Sequence, residues 1–253
     1  MVGQGGPGWC RKGPDPALAR WAAAALPAAR AALARPGGDW RAGGTWFVGV
    51  DALDNGPGGE VGPEALGLPW AALGLDPMPL HRAQLSTTRP GYPRRAAGET
   101  EAAFRFRRDR AAAHLDGVLP MGPEKRRMIR EPHAIILGLP LTEAEAEAAP
   151  LMVWDGSHEV MRAALLEALA PHPPATWADV DVTEAYQAAR RQVFETCPRR
   201  ALPARPGEAL ILHRLLVHGV APWAEGASAA PEGRVIAYFR PLLPDVEAWL
   251  TLA

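Results

Sequence analysis

Two periods alternate along the chain. Residues 16–35, 159–170 and 182–195 repeat apolar positions at three- and four-residue steps, the spacing of one helix face. The first stretch is opened by Pro14-Asp15-Pro16 and closed by Pro36-Gly37-Gly38, both helix-boundary signals. Shorter stretches bounded by Gly and Pro read as strands: GTWFVGVDAL from Gly44, PHAIILGLPL from Pro132, PLMVWDGSH from Pro150, GEALILHRLLVHG from Gly207 and GRVIAYFRP from Gly233. ETEAAFRFRRDRAAAHLDG, from Glu99, alternates Phe with Arg and is predicted as a further extended segment. Residues 54–98 are rich in Gly and Pro, which predicts loops and short helices, and HRAQLSTTRPGYPRR within them reads as a lid.

Strands in the middle and end, with helices in front and inserted, predict an α+β protein on a double-stranded β-helix, or jelly roll, with N-terminal and inserted helices packed on one face. A single domain is predicted over 1–253. Within it, 1–98 form a helical and loop extension wrapping the core, and 99–253 form the jelly-roll core with a helical insertion around 158–197.

Composition narrows the picture by exclusion. A net charge of −1 and 48% hydrophobic residues point away from nucleic acid or anionic membrane as the main partner and toward a sizeable core. Lys12 and Lys125 are the only lysines, so nearly every cation is arginine. Cys10 and Cys197 stand alone, without disulfide or zinc-knuckle spacing, as in a reducing compartment. Arg20, Pro27 and Arg30 interrupt the first apolar stretch, so no signal peptide is read, and no run reaches the roughly 18 apolar residues of a membrane span. These features predict a cytoplasmic protein without a membrane partner.

Candidate chemistry starts at His114 and Asp116. Residues two apart on a strand point the same way, so an imidazole and a carboxylate share one face just before Gly117. About a hundred residues later, His218-Gly219 ends another apolar strand. Two histidines and a carboxylate with open positions are the facial triad of non-haem ferrous oxygenases. The next strand begins with Arg234 and ends with Arg240, and a guanidinium there can clamp a carboxylate in bidentate fashion. His213 is the rival third ligand. Strict alternation from His218 puts Arg214 inward and His213 outward unless the strand bends between them.

HLDG, PLMVWDGSHEVMR, PGEALILHRLLVHG and GRVIAYFRP, taken in that order, resemble the Fe(II)/2-oxoglutarate-dependent dioxygenases, and among them the phytanoyl-CoA dioxygenase-like family. The likeness covers roughly residues 100–242. It implies that His114, Asp116 and His218 bind Fe(II), and that Arg234, with Arg240 as second candidate, holds the distal carboxylate of 2-oxoglutarate. It also implies that dioxygen and a small organic substrate meet there, giving succinate, CO2 and a hydroxylated or desaturated product. With Asp116 present, halogenation is disfavoured. Val220 stands where many relatives carry a Ser or Thr that helps hold the co-substrate, and AEGASAAPEG lengthens the interval between His218 and Arg234.

Further candidates for substrate contact are His133, Trp154, His158 and Arg108, the last sharing strand parity with His114. Each also has a plain reading: His133 as a strand end, His158 as a helix N-terminus, Trp154 as core and Arg108 as a solvated charge. Two other functions are compatible with these residues: a cupin-like jelly-roll metalloenzyme (an isomerase or an oxygenase needing no keto acid), and a jelly-roll binding protein without turnover.

Overall fold

The computed structural model describes residues 5–252. In chain order the elements are β1 (Trp9–Lys12), α1 (Pro16–Leu33), β2 (Trp40–Arg41), β3 (Trp46–Gly49), β4 (Gln84–Thr88), α2 (Glu101–Asp109), β5 (Val118–Met121), β6 (Arg126–Ile129), β7 (Ile135–Pro140), β8 (Leu151–Trp154), α3 (Ser157–Leu169), α4 (Thr183–Thr196), β9 (Arg199–Leu202), β10 (Ala209–His213), β11 (His218–Val220), β12 (Arg234–Phe239) and α5 (Val246–Thr251).

A large antiparallel sheet runs β1-β10-β7-β12-β4-β3-β2, and a small one runs β11-β8-β9. His114 adds an antiparallel bridge to His218 at the free edge of β11. Counting β4, the His114 bridge, β7, β8, β9, β10, β11 and β12 as eight successive positions, the large sheet has the order 1-8-3-6 and the small one 2-7-4-5. Alternating chain passage between two facing sheets is the jelly roll, and it brings chain-distant segments side by side at the mouth.

Strand alternation builds three apolar layers. Ile136, Leu151, Val153, Leu202, Leu210 and Leu212 fill the space between the sheets, each full burial contributing roughly 1.5–3 kcal/mol. The other strand faces pack outward against helices. Trp21 of α1 meets Phe239 of β12 edge-on at 6.0 Å, covering the large sheet, while Phe194 of α4 lies 5.3 Å from Trp154 of β8, covering the small sheet. The helices therefore divide between the two outer faces rather than packing on one as expected, because both sheets turn an apolar face outward. The Asp15 carboxylate caps α1 by accepting from the Ala17 N–H at 2.8 Å.

Two elements differ from the sequence expectation. Residues 101–109 are helical, because Thr100 caps the segment through Ala103 N–H at 3.2 Å and Glu101 pairs with Arg105 one turn on. The Phe/Arg alternation that suggested a strand is the surface pattern of a helix with no buried residue. The stretch read as a lid supplies β4 at its centre, hydrogen-bonded between β12 and β3. With β1, β2 and β3, it makes the first 98 residues contributors to the sheet.

Candidate metal centre

His218 opens β11 after a turn at Arg214 and Leu215, closed by Leu216 N–H donating to His213 O at 2.9 Å. The turn breaks strand alternation, which settles the parity question. His213 goes to the helix side, and His218 faces the cleft. The Ser157 hydroxyl, fully buried at the start of α3, accepts from Val217 N–H at 2.9 Å and fixes the residue just before His218.

His114 is held to His218 by a reciprocal pair of backbone bonds, His114 N to His218 O at 2.9 Å and the reverse at 3.0 Å. His114 therefore lies at an isolated bridge rather than in a regular strand. Gly219 permits this approach, since a Cβ there would lie 2.1 Å from Ala111 O.

Both rings carry the same local device. His114 Nδ1 lies 3.0 Å from Ala112 O and His218 Nδ1 2.9 Å from Leu216 O, in each case the carbonyl two residues upstream. A neutral ring donating there presents a bare Nε2, and this is how protein carbonyls orient metal-binding histidines. The two Nε2 atoms converge on Asp116, 3.2 Å from Oδ1 for His114 and 3.7 Å from Oδ2 for His218. One ligand atom from each of the three side chains lies within 4.8 Å of the others. Two ligand atoms about 2.1 Å from a metal and at right angles to each other are about 3 Å apart, so the donor set fits a first-row ion.

Electrostatics favour the ligating forms of His218 and Asp116, while the Asp116 charge favours the protonated form of His114. Burial pushes His218 down to about 4, against the pull of Asp116, leaving the ring neutral. Burial would raise the Asp116 carboxyl, but His218, His114 and Arg240 hold it well below the usual carboxylate range. For His114, desolvation is outweighed by the hydrogen bond and charge of Asp116, and its pKa is raised.

The triad opens on a cleft walled by Trp46, Gln84 and Ser86 from β3 and β4 and by Val220 and Tyr238. Sequence reading missed Gln84 and Ser86, whose segment looked like loop. Arg240 reaches the same cleft and donates to Asp116 Oδ2 at 3.0 Å and to Gln84 Oε1. Arg234 lies deeper, 4% exposed, on the same inward face of β12 as Tyr238. Burial lowers the pKa of its guanidinium, and among the described residues the groups that favour its charge are the phenols of Tyr238 and Tyr92, not a carboxylate.

The remaining candidates lie outside this cleft. Arg108 is on α2, paired with its neighbour Asp109, and helical geometry gives it no strand parity with His114. Trp154 is 1% exposed on the helix-covered face of β8. His158 is sealed against His213, their ring centroids 4.7 Å apart. His133 lies beyond Arg240, its Nδ1 3.2 Å from Arg240 O, on a separate groove that it shares with His81. His81 is itself tied in, its Nε2 accepting from Arg240 N–H at 2.8 Å. No helix among the described residues is long and apolar enough to cross a membrane.

No family model and no curated protein matches the chain. Among solved structures it is similar to the non-heme alpha ketoglutarate dependent carbocyclase SnoK from nogalamycin biosynthesis, at 13% identity and a TM-score of 0.47, over 96% of this chain and 84% of that one. It is similar also to the epimerase SnoN in complex with Fe3+, alpha ketoglutarate and nogalamycin RO, at 16% identity and a TM-score of 0.48, over 93% and 79% of the two chains. A third similar structure is HygX from Streptomyces hygroscopicus with nickel and 2-oxoglutarate bound, at 14% identity and a TM-score of 0.40, over 93% and 83%.

Proposed function

We propose that this chain is an Fe(II)- and 2-oxoglutarate-dependent oxygenase of the phytanoyl-CoA dioxygenase-like type, which hydroxylates or desaturates a small organic substrate. The observation that carries the reading is the convergence of two Nε2 atoms, each freed by an Nδ1 bond to backbone, on one ionised carboxylate in a jelly-roll mouth. The donor set is two imidazoles and a carboxylate on one side of the cleft, which leaves the opposite positions open. When bound, ferrous iron with the keto acid supplies dioxygen activation, with succinate and CO2 released.

The protein's own residues divide the remaining work. His114, Asp116 and His218 hold the metal. Arg240 occupies one face of Asp116 Oδ2 and orients that carboxylate, so Arg234, which has no carboxylate partner among the described residues, is the residue for the distal carboxylate of 2-oxoglutarate. Trp46 and Val220 present apolar surface to the substrate side of the cleft and limit water there.

Anaerobic addition of Fe(II) and 2-oxoglutarate should produce a weak visible charge-transfer band, and aerobic incubation with candidate substrates should release succinate. The His114→Ala variant should lose the band. A band of full strength in that variant removes His114 from the site and with it the assignment.

A further inference from the structure

Arg240 is the first residue past the end of β12, whose ladder stops at Tyr238 on the β4 side and at Phe239 on the β7 side. The peptide groups of a half-buried strand end need partners from outside the sheet. Two imidazoles supply them here. His81 Nε2 accepts from Arg240 N–H at 2.8 Å, and His133 Nδ1 donates to Arg240 O at 3.2 Å.

Topology explains why both rings arrive at this one peptide. β4 and β7 flank β12 and run antiparallel to it, so the segments leading into them lie at its C-terminal end. His81 stands three residues before β4 and His133 two before β7. The ring chemistry fits as well. His81 Nδ1 lies 2.6 Å from Arg82 O, so its proton stands there and Nε2 is left as the acceptor that the Arg240 N–H requires. Packing limits how far either ring can turn, with His81 6.1 Å from the Phe239 ring and His133 6% exposed.

The side chain of the gripped residue points the other way, into the metal cleft, where it donates to Asp116 Oδ2 at 3.0 Å and to Gln84 Oε1. A guanidinium on a long, flexible stem orients a carboxylate only as well as its own backbone is held.

We propose that His81 and His133 are positioning residues for the metal centre: they clamp the Arg240 peptide from both sides and through it hold the guanidinium on Asp116. This rests on the metal-centre part of the oxygenase reading and deepens it, because it names two residues that act on Asp116 without touching it.

The test is calorimetric titration of the full chain with Mn(II). Arg240→Met should weaken Mn(II) about tenfold. His81→Phe and His133→Phe keep a ring in place and remove the acceptor or the donor; each should weaken Mn(II) about three- to tenfold. Added to Arg240→Met, neither should cause a further loss, because without the guanidinium the clamp has nothing to transmit. His81→Gln and His133→Gln, whose amides can still accept from or donate to the peptide, should stay within about twofold of the parent. His114→Ala serves as the reference. If it leaves Mn(II) affinity intact, the metal-centre reading itself fails. If it weakens Mn(II) while both Phe variants bind like the parent, or if their losses persist in full beside Arg240→Met, the positioning role is overturned. Should the Phe variants not fold, a loss beyond about twofold in a folded Gln variant overturns it, and parent-like affinity in both upholds it.

Discussion

Two pairs of histidine rings face each other in this molecule at nearly the same spacing, His114 with His218 at 4.6 Å and His158 with His213 at 4.7 Å. Between the first pair lies the carboxylate of Asp116, and both Nδ1 atoms are engaged by backbone carbonyls. Beside the second pair lies a guanidinium, with Arg162 Nη2 3.2 Å from His213 Nε2, while Leu215 N–H donates to His213 Nδ1 at 3.0 Å. Both nitrogens of His213 thus face donors, although a neutral imidazole has one acceptor site. Among the described residues neither ring nitrogen of the fully buried His158 has a hydrogen bond, though Glu159 Oε1 lies 3.4 Å from its Nε2. Burial, then Arg214, His158 and Arg162, push His213 down to about 2. Stacked imidazoles are common to both places; at the first a carboxylate reaches both rings, whereas at the second Glu159 Oε1 lies 3.4 Å from His158 Nε2 while a guanidinium faces His213, so among the described residues the first pair gathers three donors within reach of one cation.

The sharpest way to break this contrast is metal titration. His114→Ala or Asp116→Ala should weaken Mn(II) at least about 100-fold, since each removes a ligand rather than an outer-shell partner. His213→Asn should stay within about twofold of the parent. Comparable losses in all three would show that the second pair shares the metal, and the distinction would be gone.

Acid stability sharpens the same contrast from the other side. His213 is a base whose folded pKa is lowered from 6.5 to about 2, so the unfolded chain takes up a proton that the folded chain refuses. Stability from keeping it neutral is complete above the unfolded value and falls as pH drops below about 6.5. Between pH 7.5 and 5.0 this amounts to about 2 kcal/mol for one group. Urea unfolding at the two pH values should therefore show a drop about 2 kcal/mol smaller in His213→Asn than in the parent. An equal drop in both would place His213 in a less hostile setting than its surroundings indicate.

The two pairs also differ in how far they could be read in advance. Donor type and spacing marked His114 and Asp116, two apart before Gly117, and His218 before Gly219. The separation of His213 from His218 needed the turn at Arg214 and Leu215, which a stretch without Gly or Pro conceals. The cleft walls Gln84 and Ser86 sit in a segment whose Gly and Pro content looks like loop, because short strands gain their identity from neighbours on both sides. In helix α2 the Phe/Arg alternation satisfies a two-residue period, while the cap at Thr100 carries the helical signal. The grip of His81 and His133 on Arg240 depends on register between strands far apart in the chain, and no local pattern encodes it.

Ser157 links the two regions, since it precedes His158 and holds Val217 beside His218. Ser157→Ala orphans a buried N–H and should cost about 1–2 kcal/mol in urea unfolding. Mn(II) affinity should fall a few-fold through looser placement of His218. A variant as stable as the parent, with unchanged metal affinity, would separate the two regions energetically.

The smallest effect expected is at Arg162, and it tests what the guanidinium contributes. Its Nε is buried without a partner, and its Nη2 competes with the Leu215 N–H for the one acceptor that His213 can offer. Replacing such a group by an apolar chain of similar length often leaves stability near neutral, because lost attraction and relieved desolvation oppose each other. Arg162→Met should therefore lie within about 1 kcal/mol of the parent at pH 7.5. The removed positive charge also stops depressing His213, so the extra loss of stability toward pH 5 should shrink slightly. A loss of several kcal/mol at neutral pH would mean that the arginine holds the second pair together, as Asp116 holds the first, and the two sites would then differ in sign but not in construction.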